Sequence, residues 1–228
     1  LYEICYADQH LGRMLDSLQR AGILKNTLVV TSDNGTGLSH AAKSLGKASP
    51  YDAGVHEPLA MMWPSRVKAG RKVTDFVNFS DFAPTFLEAA GSKVPASMSG
   101  RSLLPILESP SSGRIEKDRD SIVTGLEWHG EFDPDSKSSR SIRDDRYAYV
   151  VRYANVDAQG KMLGNRALMA PSQIEFYDLQ NDPWQLNDLV DAPTVSAEKD
   201  RLAARLREVG LKTGDPRITG EMDLFRKT

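Results

Sequence analysis

Asp33 and Asn34 stand side by side where an apolar run ends: Leu28-Val29-Val30 gives way to Thr31-Ser32-Asp33-Asn34-Gly35. A carboxylate and an amide carbonyl are the oxygen donors that Ca²⁺ and Mg²⁺ accept as ligands. Gly35 tolerates the backbone conformations of a sharp bend and allows close approach of a partner. Ser-Asp-Asn-Gly is also a set of turn formers, and the dipeptide alone favours the turn. Two ligands do not complete a shell of about six to eight oxygens. Lys47 follows on a stretch rich in Gly, Ser and Ala. A lysine ammonium is a compact point charge that can hold a phosphate or sulfate oxygen. The alternative is a solvated surface lysine, and Lys43 competes for the role. His40 and His56, in or just after this loop, are either substrate contacts or structural and solvated side chains.

The elements that must position these residues can be read from periodicity. Ile4, Ala7, Leu11, Met14, Leu15 and Leu18 recur at helical steps, which predicts an amphipathic helix over residues 2–21 with Gly22 as its stop. Residues 27–31 form a short apolar strand after a turn at Asn26. Helix, tight connection and buried strand belong to an α/β sheet, which carries its ligand sites beyond the carboxyl ends of its strands. Asp33 and Asn34 lie at such an end. Residues 58–63 are a second buried strand closed by Pro64, and Val73 to Phe79 are a candidate third. Ser80 or Asp81 caps a helix through Ala90.

A Pro- and Ser-rich stretch then marks a boundary, with a first domain over 1–110 and a second over 111–228. In the second, Ser141 to Arg143 and Tyr147 to Tyr153 flank Asp144-Asp145 as a hairpin, Ile174 to Tyr177 is a strand, and Ala197 to Val209 is a helix stopped by Gly210. The fold class is therefore α/β, with a small C-terminal α+β subdomain built on an antiparallel sheet.

Composition narrows the partners. The chain has 228 residues, 40% of them hydrophobic, and a net charge of -2. That is a globular composition with no basic block for nucleic acid. No apolar run reaches the roughly eighteen residues of a bilayer span, so no transmembrane segment is expected. No signal peptide is visible, although the chain starts at Leu1. The single cysteine, Cys5, excludes an internal disulfide framework and a Cys-based zinc site, and is expected to be a buried apolar residue.

Taken in order, these segments resemble the sulfatase family of the alkaline-phosphatase-like superfamily. "YADQHLGRMLDSLQRAGILKNTLVVTSDNG" is similar to the family's helix, strand and metal-binding turn. "GKASPYDAGVHEPLAMMWP" is similar to its Gly-Lys-x-x-x-Tyr segment and the Pro-led strand ending in Trp-Pro. "VNFSDFAPTFLEAAG", "GRSLLPIL", "RSIRDDRYAYV" and "EFYDLQNDPWQLNDL" resemble later family segments. The resemblance implies a partial alkaline-phosphatase-like sheet with flanking helices. It implies Asp33 and Asn34 as ligands of one divalent cation, calcium before magnesium, and Lys47 as the lysine that binds the sulfate group. "GLEWHGEFD" is similar to a His-bearing stretch in sulfamidase-like members, which implies His129 as a substrate contact and glycosaminoglycan-type sugars as substrates.

The family's nucleophile is a formylglycine made from a Cys or Ser in a Cys/Ser-x-Pro-x-Arg motif. No such motif occurs here: in "MWPSR" Met62 stands where Cys or Ser would be. The expectation is the C-terminal part of a sulfatase, inactive alone and exposing apolar surface, whose formylglycine lies upstream. Its parent would hydrolyse sulfate esters or sulfamates of a sulfated sugar in a periplasmic, secreted or lysosomal setting. The alternatives are a phosphate or phosphonate ester hydrolase of the same superfamily, and a non-catalytic module that binds anionic glycans. Asn34, where phosphoryl relatives more often carry His, favours sulfate.

Overall fold

The computed structural model describes residues 2–35, 46–47, 49–127, 138–154 and 171–220. In chain order its elements are α1 (Tyr2–Arg20), β1 (Val29–Ser32), α2 (Asp52–Val55), β2 (Leu59–Met62), α3 (Phe82–Ala89), α4 (Leu104–Glu108), β3 (Ile122–Leu126), β4 (Ser138–Arg143), β5 (Tyr147–Tyr153), β6 (Pro171–Asp178), α5 (Ser196–Thr213) and α6 (Pro216–Thr219). They fall into two compact units. Leu1–Asp33 and Pro58–Lys117 form one; Asn34–Glu57 and Asp118–Thr228 form the other.

In the first unit, α1 ends where Gly22 takes a left-handed φ of 73°, a conformation that suits glycine. β1 and β2 pair antiparallel, from Val29 opposite Met62 to Ser32 opposite Leu59. Both strands are only half-buried. The expected burial of these strands is only half met, because the adjoining core of Trp63, Leu103, Leu104, Ile106 and Leu107 packs against Leu28 and Met61 while alternate residues of β2 remain exposed. Trp63 lies in that core, so the "MWPSR" segment is the end of a strand and its packing.

Asp81, one of the two expected caps, is the N-cap residue of α3, but its side chain makes no cap bond to that helix. Asn78 closes a reciprocal capping box with Asp81, whose Oδ1 also accepts from the Arg101 amide at 2.7 Å. A box satisfies two orphan amides at once, and this one caps the 3-10 turn Phe79–Asp81 that leads into α3. Val73 to Phe79 do not form a strand; Val73 makes an isolated bridge to Gly113, and Asp75 is used instead to accept from the amides of Ile115 and Glu116.

The second unit is a four-stranded antiparallel meander in the order β3-β4-β5-β6. The β4–β5 turn forms because Asp144 Oδ1 accepts from the amides of Arg146 and Tyr147. Side chains alternate along β5. Tyr147, Tyr149, Val151 and Tyr153 join Ile142, Phe176 and the α5 residues Leu202 and Leu206 in one core. Ala148 and Val150 join Tyr51, Tyr177 and Leu179 in a second cluster. α5 runs through the expected stop at Gly210 and ends at Gly214, φ 68°. Gly210 is kept small because a β-carbon there would meet Ile218 Cδ1 at 2.1 Å.

Candidate functional site

Asp33 and Asn34 follow β1 directly and both are exposed. The last strand residue, Ser32, donates its hydroxyl to Pro58 O at 2.9 Å, tying the end of β1 to the start of β2. Gly35 has φ 95°, so the bend after Asn34 needs glycine. A β-carbon on Gly35 would lie 3.0 Å from Glu57 Oε1 and 3.5 Å from both Gly54 O and Lys47 Cβ. The residue after Asn34 therefore packs on the Lys47 segment. Glu57 adds a carboxylate to this neighbourhood that periodicity and spacing did not single out.

Lys47 is exposed, on a turn between the buried residues Gly46 and Ser49. That turn is folded tightly onto α2. A β-carbon on Gly54 would come 2.4 Å from Gly46 O and 2.6 Å from Ser49 Oγ, so the approach requires glycine there. Lys43, His40 and His129 lie outside the described residues. Cys5 is exposed, against expectation, because α1 carries no buried residue.

Behind the Lys47 turn lies a buried polar cluster. Glu175, 2% exposed, accepts from Tyr51 Oη at 2.8 Å, Tyr177 Oη at 2.7 Å and Arg152 Nε at 2.5 Å. Arg152 also donates to Tyr51 Oη at 2.7 Å. Burial pushes the Glu175 carboxyl up, but the donors Tyr177, Arg152 and Tyr51 outweigh it and hold it below the ordinary 4.5. Burial and the bond to Glu175 raise the Tyr51 phenol. Nothing in the sequence pattern pairs Tyr51 with a residue 124 positions away.

As for a cation, the oxygen donors of Asp33 and Asn34 suit a hard divalent ion and fill part of a shell. Among the described residues no group of three or more His, Cys, Asp or Glu is assembled to hold a metal. The donor chemistry fits; the remaining ligands would have to come from elsewhere.

Comparison with known proteins defines the class. Residues 45–212 match the family model described as N-sulphoglucosamine sulphohydrolase, C-terminal. The chain belongs to this family and corresponds to the C-terminal part of a sulfatase. It is 30% identical to arylsulfatase K of Xenopus laevis over 99% of its own length and 39% of that protein's. A protein solved with its substrate D-glucosamine-2-N,6-O-disulfate superposes with a TM-score of 0.78 at 25% identity, over 94% of this chain and 40% of the other. The phosphonate monoester hydrolase of Agrobacterium radiobacter shares the fold, with a TM-score of 0.71 at 23% identity over 95% of this chain and 41% of its own. The chain thus spans about two fifths of the length of these relatives. No helix among the described residues is long and apolar enough to cross a membrane.

Proposed function

We propose that this chain supplies the anion-binding lysine and half of a metal site to a sulfatase that hydrolyses sulfate esters or sulfamates of a sulfated amino sugar. The observation that carries this reading is the packing of Gly35, the neighbour of Asn34, on the β-carbon of Lys47. It puts an amide oxygen donor and a cation on adjoining backbone. Lys47 donates to a sulfate oxygen, and its exposure leaves the ammonium open to substrate. Asp33 and Asn34 would hold one divalent cation, calcium or magnesium, which would supply polarisation of the sulfate oxygens. The glucosamine disulfate bound by the structural relative supports an amino-sugar substrate.

The nucleophile, by family a formylglycine, is not encoded by a Cys/Ser-x-Pro-x-Arg motif here. The chain by itself is inactive, and the activity belongs to a longer protein in a periplasmic, secreted or lysosomal setting. His129 remains a proposed substrate contact. The test is turnover of a sulfated glucosamine by the full-length protein. Asp33→Ala, Asn34→Ala and Lys47→Ala should each lower kcat/KM by about a hundredfold or more, the scale of losing one electrostatic contact to the reacting group. Wild-type rates in all three, or turnover by the 228-residue chain alone, would sink the reading.

The fold shared with the phosphonate hydrolase supports a second reading, hydrolysis of a phosphate or phosphonate ester. A higher kcat/KM on a phosphonate than on a sulfate monoester would select it.

A further inference from the structure

We propose that Glu175 is the positioning residue of the Lys47 segment, acting through Tyr51. The proposal rests on the reading of Lys47 as the anion contact and goes beyond it by naming what holds that lysine in place.

Residues 49–57 have little regular structure of their own, a single turn of helix at Asp52–Val55. Their order comes from side chains of the C-terminal sheet and the segment after it. Tyr51 plants its hydroxyl between Glu175 and Arg152. Its ring meets Tyr177 edge-on at 5.9 Å, and Arg152 lies over it at 5.3 Å. The next residue, Asp52, donates its backbone amide to Gln185 Oε1 at 2.7 Å and pairs through its carboxylate with Arg143. Gln185 is 2% exposed and has φ 53°, a left-handed conformation otherwise confined to glycines among the described residues. A non-glycine residue is kept in that conformation where surrounding structure over-determines it, and here the side chain so aimed grips the segment. Both locks lie within five residues of Lys47.

A purely stabilising role is a weaker account of Glu175. A buried ion pair is often no more stable than an apolar replacement of the same shape. Arg152 and Tyr177 would serve Glu175 within the sheet without Tyr51. What Tyr51 adds is a fixed bond between that sheet and a segment 124 residues away, and a bond to an ionised carboxylate is among the stronger and more directional ones.

Two hydroxyls on one carboxylate make the test. Tyr51→Phe and Tyr177→Phe each remove one donor from Glu175; the first cuts the hydrogen bond between the Lys47 segment and the sheet, while the second removes a hydroxyl within the sheet and keeps the ring that meets Tyr51. Amide hydrogen exchange on the whole chain should show residues 49–57 exchanging about tenfold faster in Tyr51→Phe, with β5 and β6 unchanged, and no local change at 49–57 in Tyr177→Phe. Equal effects of the two variants, or none from Tyr51→Phe, would overturn the proposal. Glu175→Gln should loosen the same residues; if it fails to fold, the tyrosine pair decides alone. In the full-length protein Tyr51→Phe should raise KM for a sulfated glucosamine, and Tyr51→Phe with Lys47→Ala should be no worse than Lys47→Ala alone; additive effects would overturn the link to Lys47. An inert Lys47→Ala would remove the sulfate-binding reading, while the exchange data would still decide whether Glu175 orders the segment.

Discussion

The meander of the second unit and the helix–hairpin of the first differ in how they are held. In the meander, β5 is buried on both faces, and Ile142, Val150 and Phe176 are 0% exposed. In the first unit α1 has no buried residue, with Tyr2 93% and Met14 63% exposed. α1 is amphipathic by sequence yet buries no residue, so a periodic apolar pattern states what an element can bury and leaves open whether it does so in this chain. Asp33 ends the first segment of the loosely held unit, and Asn34 opens the segment of the second unit that carries the lysine. The lysine belongs to the tightly held side.

That contrast can be broken by mutation. The largest effect is expected at Phe176→Ala, which should cost about 3–5 kcal/mol in chemical denaturation, the range for an aromatic truncated in a packed core. Met14→Ala on α1 should stay within about 0.5 kcal/mol. Comparable losses at the two positions would erase the distinction. Gly54→Ala comes next, at about 1–3 kcal/mol, because its methyl would collide with Gly46 O and Ser49 Oγ. Proteolysis of residues 46–54 in that variant should speed up.

Acid should act on the meander. The Glu175, Glu127 and Asp144 carboxyls all lie below their ordinary values in the folded state. Burial raises each, and bonds from Tyr177, Arg152 and Tyr51, from Arg217 and Arg140, and from Tyr147, Arg201 and Arg146 respectively outweigh it. A depressed carboxyl contributes stability above its unfolded pKa and loses it as pH falls through the folded one. Denaturation midpoints should therefore hold near neutrality and fall below the ordinary carboxylate range of 3.8 to 4.5. Glu175→Gln should flatten that acid limb; an unchanged slope would deny Glu175 its share. The smallest stability effect is expected at the exposed Lys47→Ala, within about 0.5 kcal/mol, despite its expected cost to turnover.

Much of the layout was legible along the chain. The α1 periodicity, the β1 and β2 runs and the hairpin at Asp144 depend on neighbours a few residues away, and local pattern predicts such features. Family membership was legible from the order of several short segments, none sufficient alone. Errors arose where a distant contact decided a local question. Gly210 read as a helix stop and became a helical residue under Ile218. Val73 to Phe79 read as a strand, but Asp75 and Asn78 spend their side chains on backbone amides elsewhere.

By itself the sequence determined which residues have the chemistry: oxygen donors at Asp33 and Asn34, a cation at Lys47, and no formylglycine motif. Tertiary structure alone decided that Gly35 packs on Lys47, that Tyr51 is bonded to Glu175, and that α1 stays exposed. The physical reason is range. Donor type and periodicity are properties of residues and their near neighbours. Buried hydrogen bonds and burial itself depend on which distant segments meet.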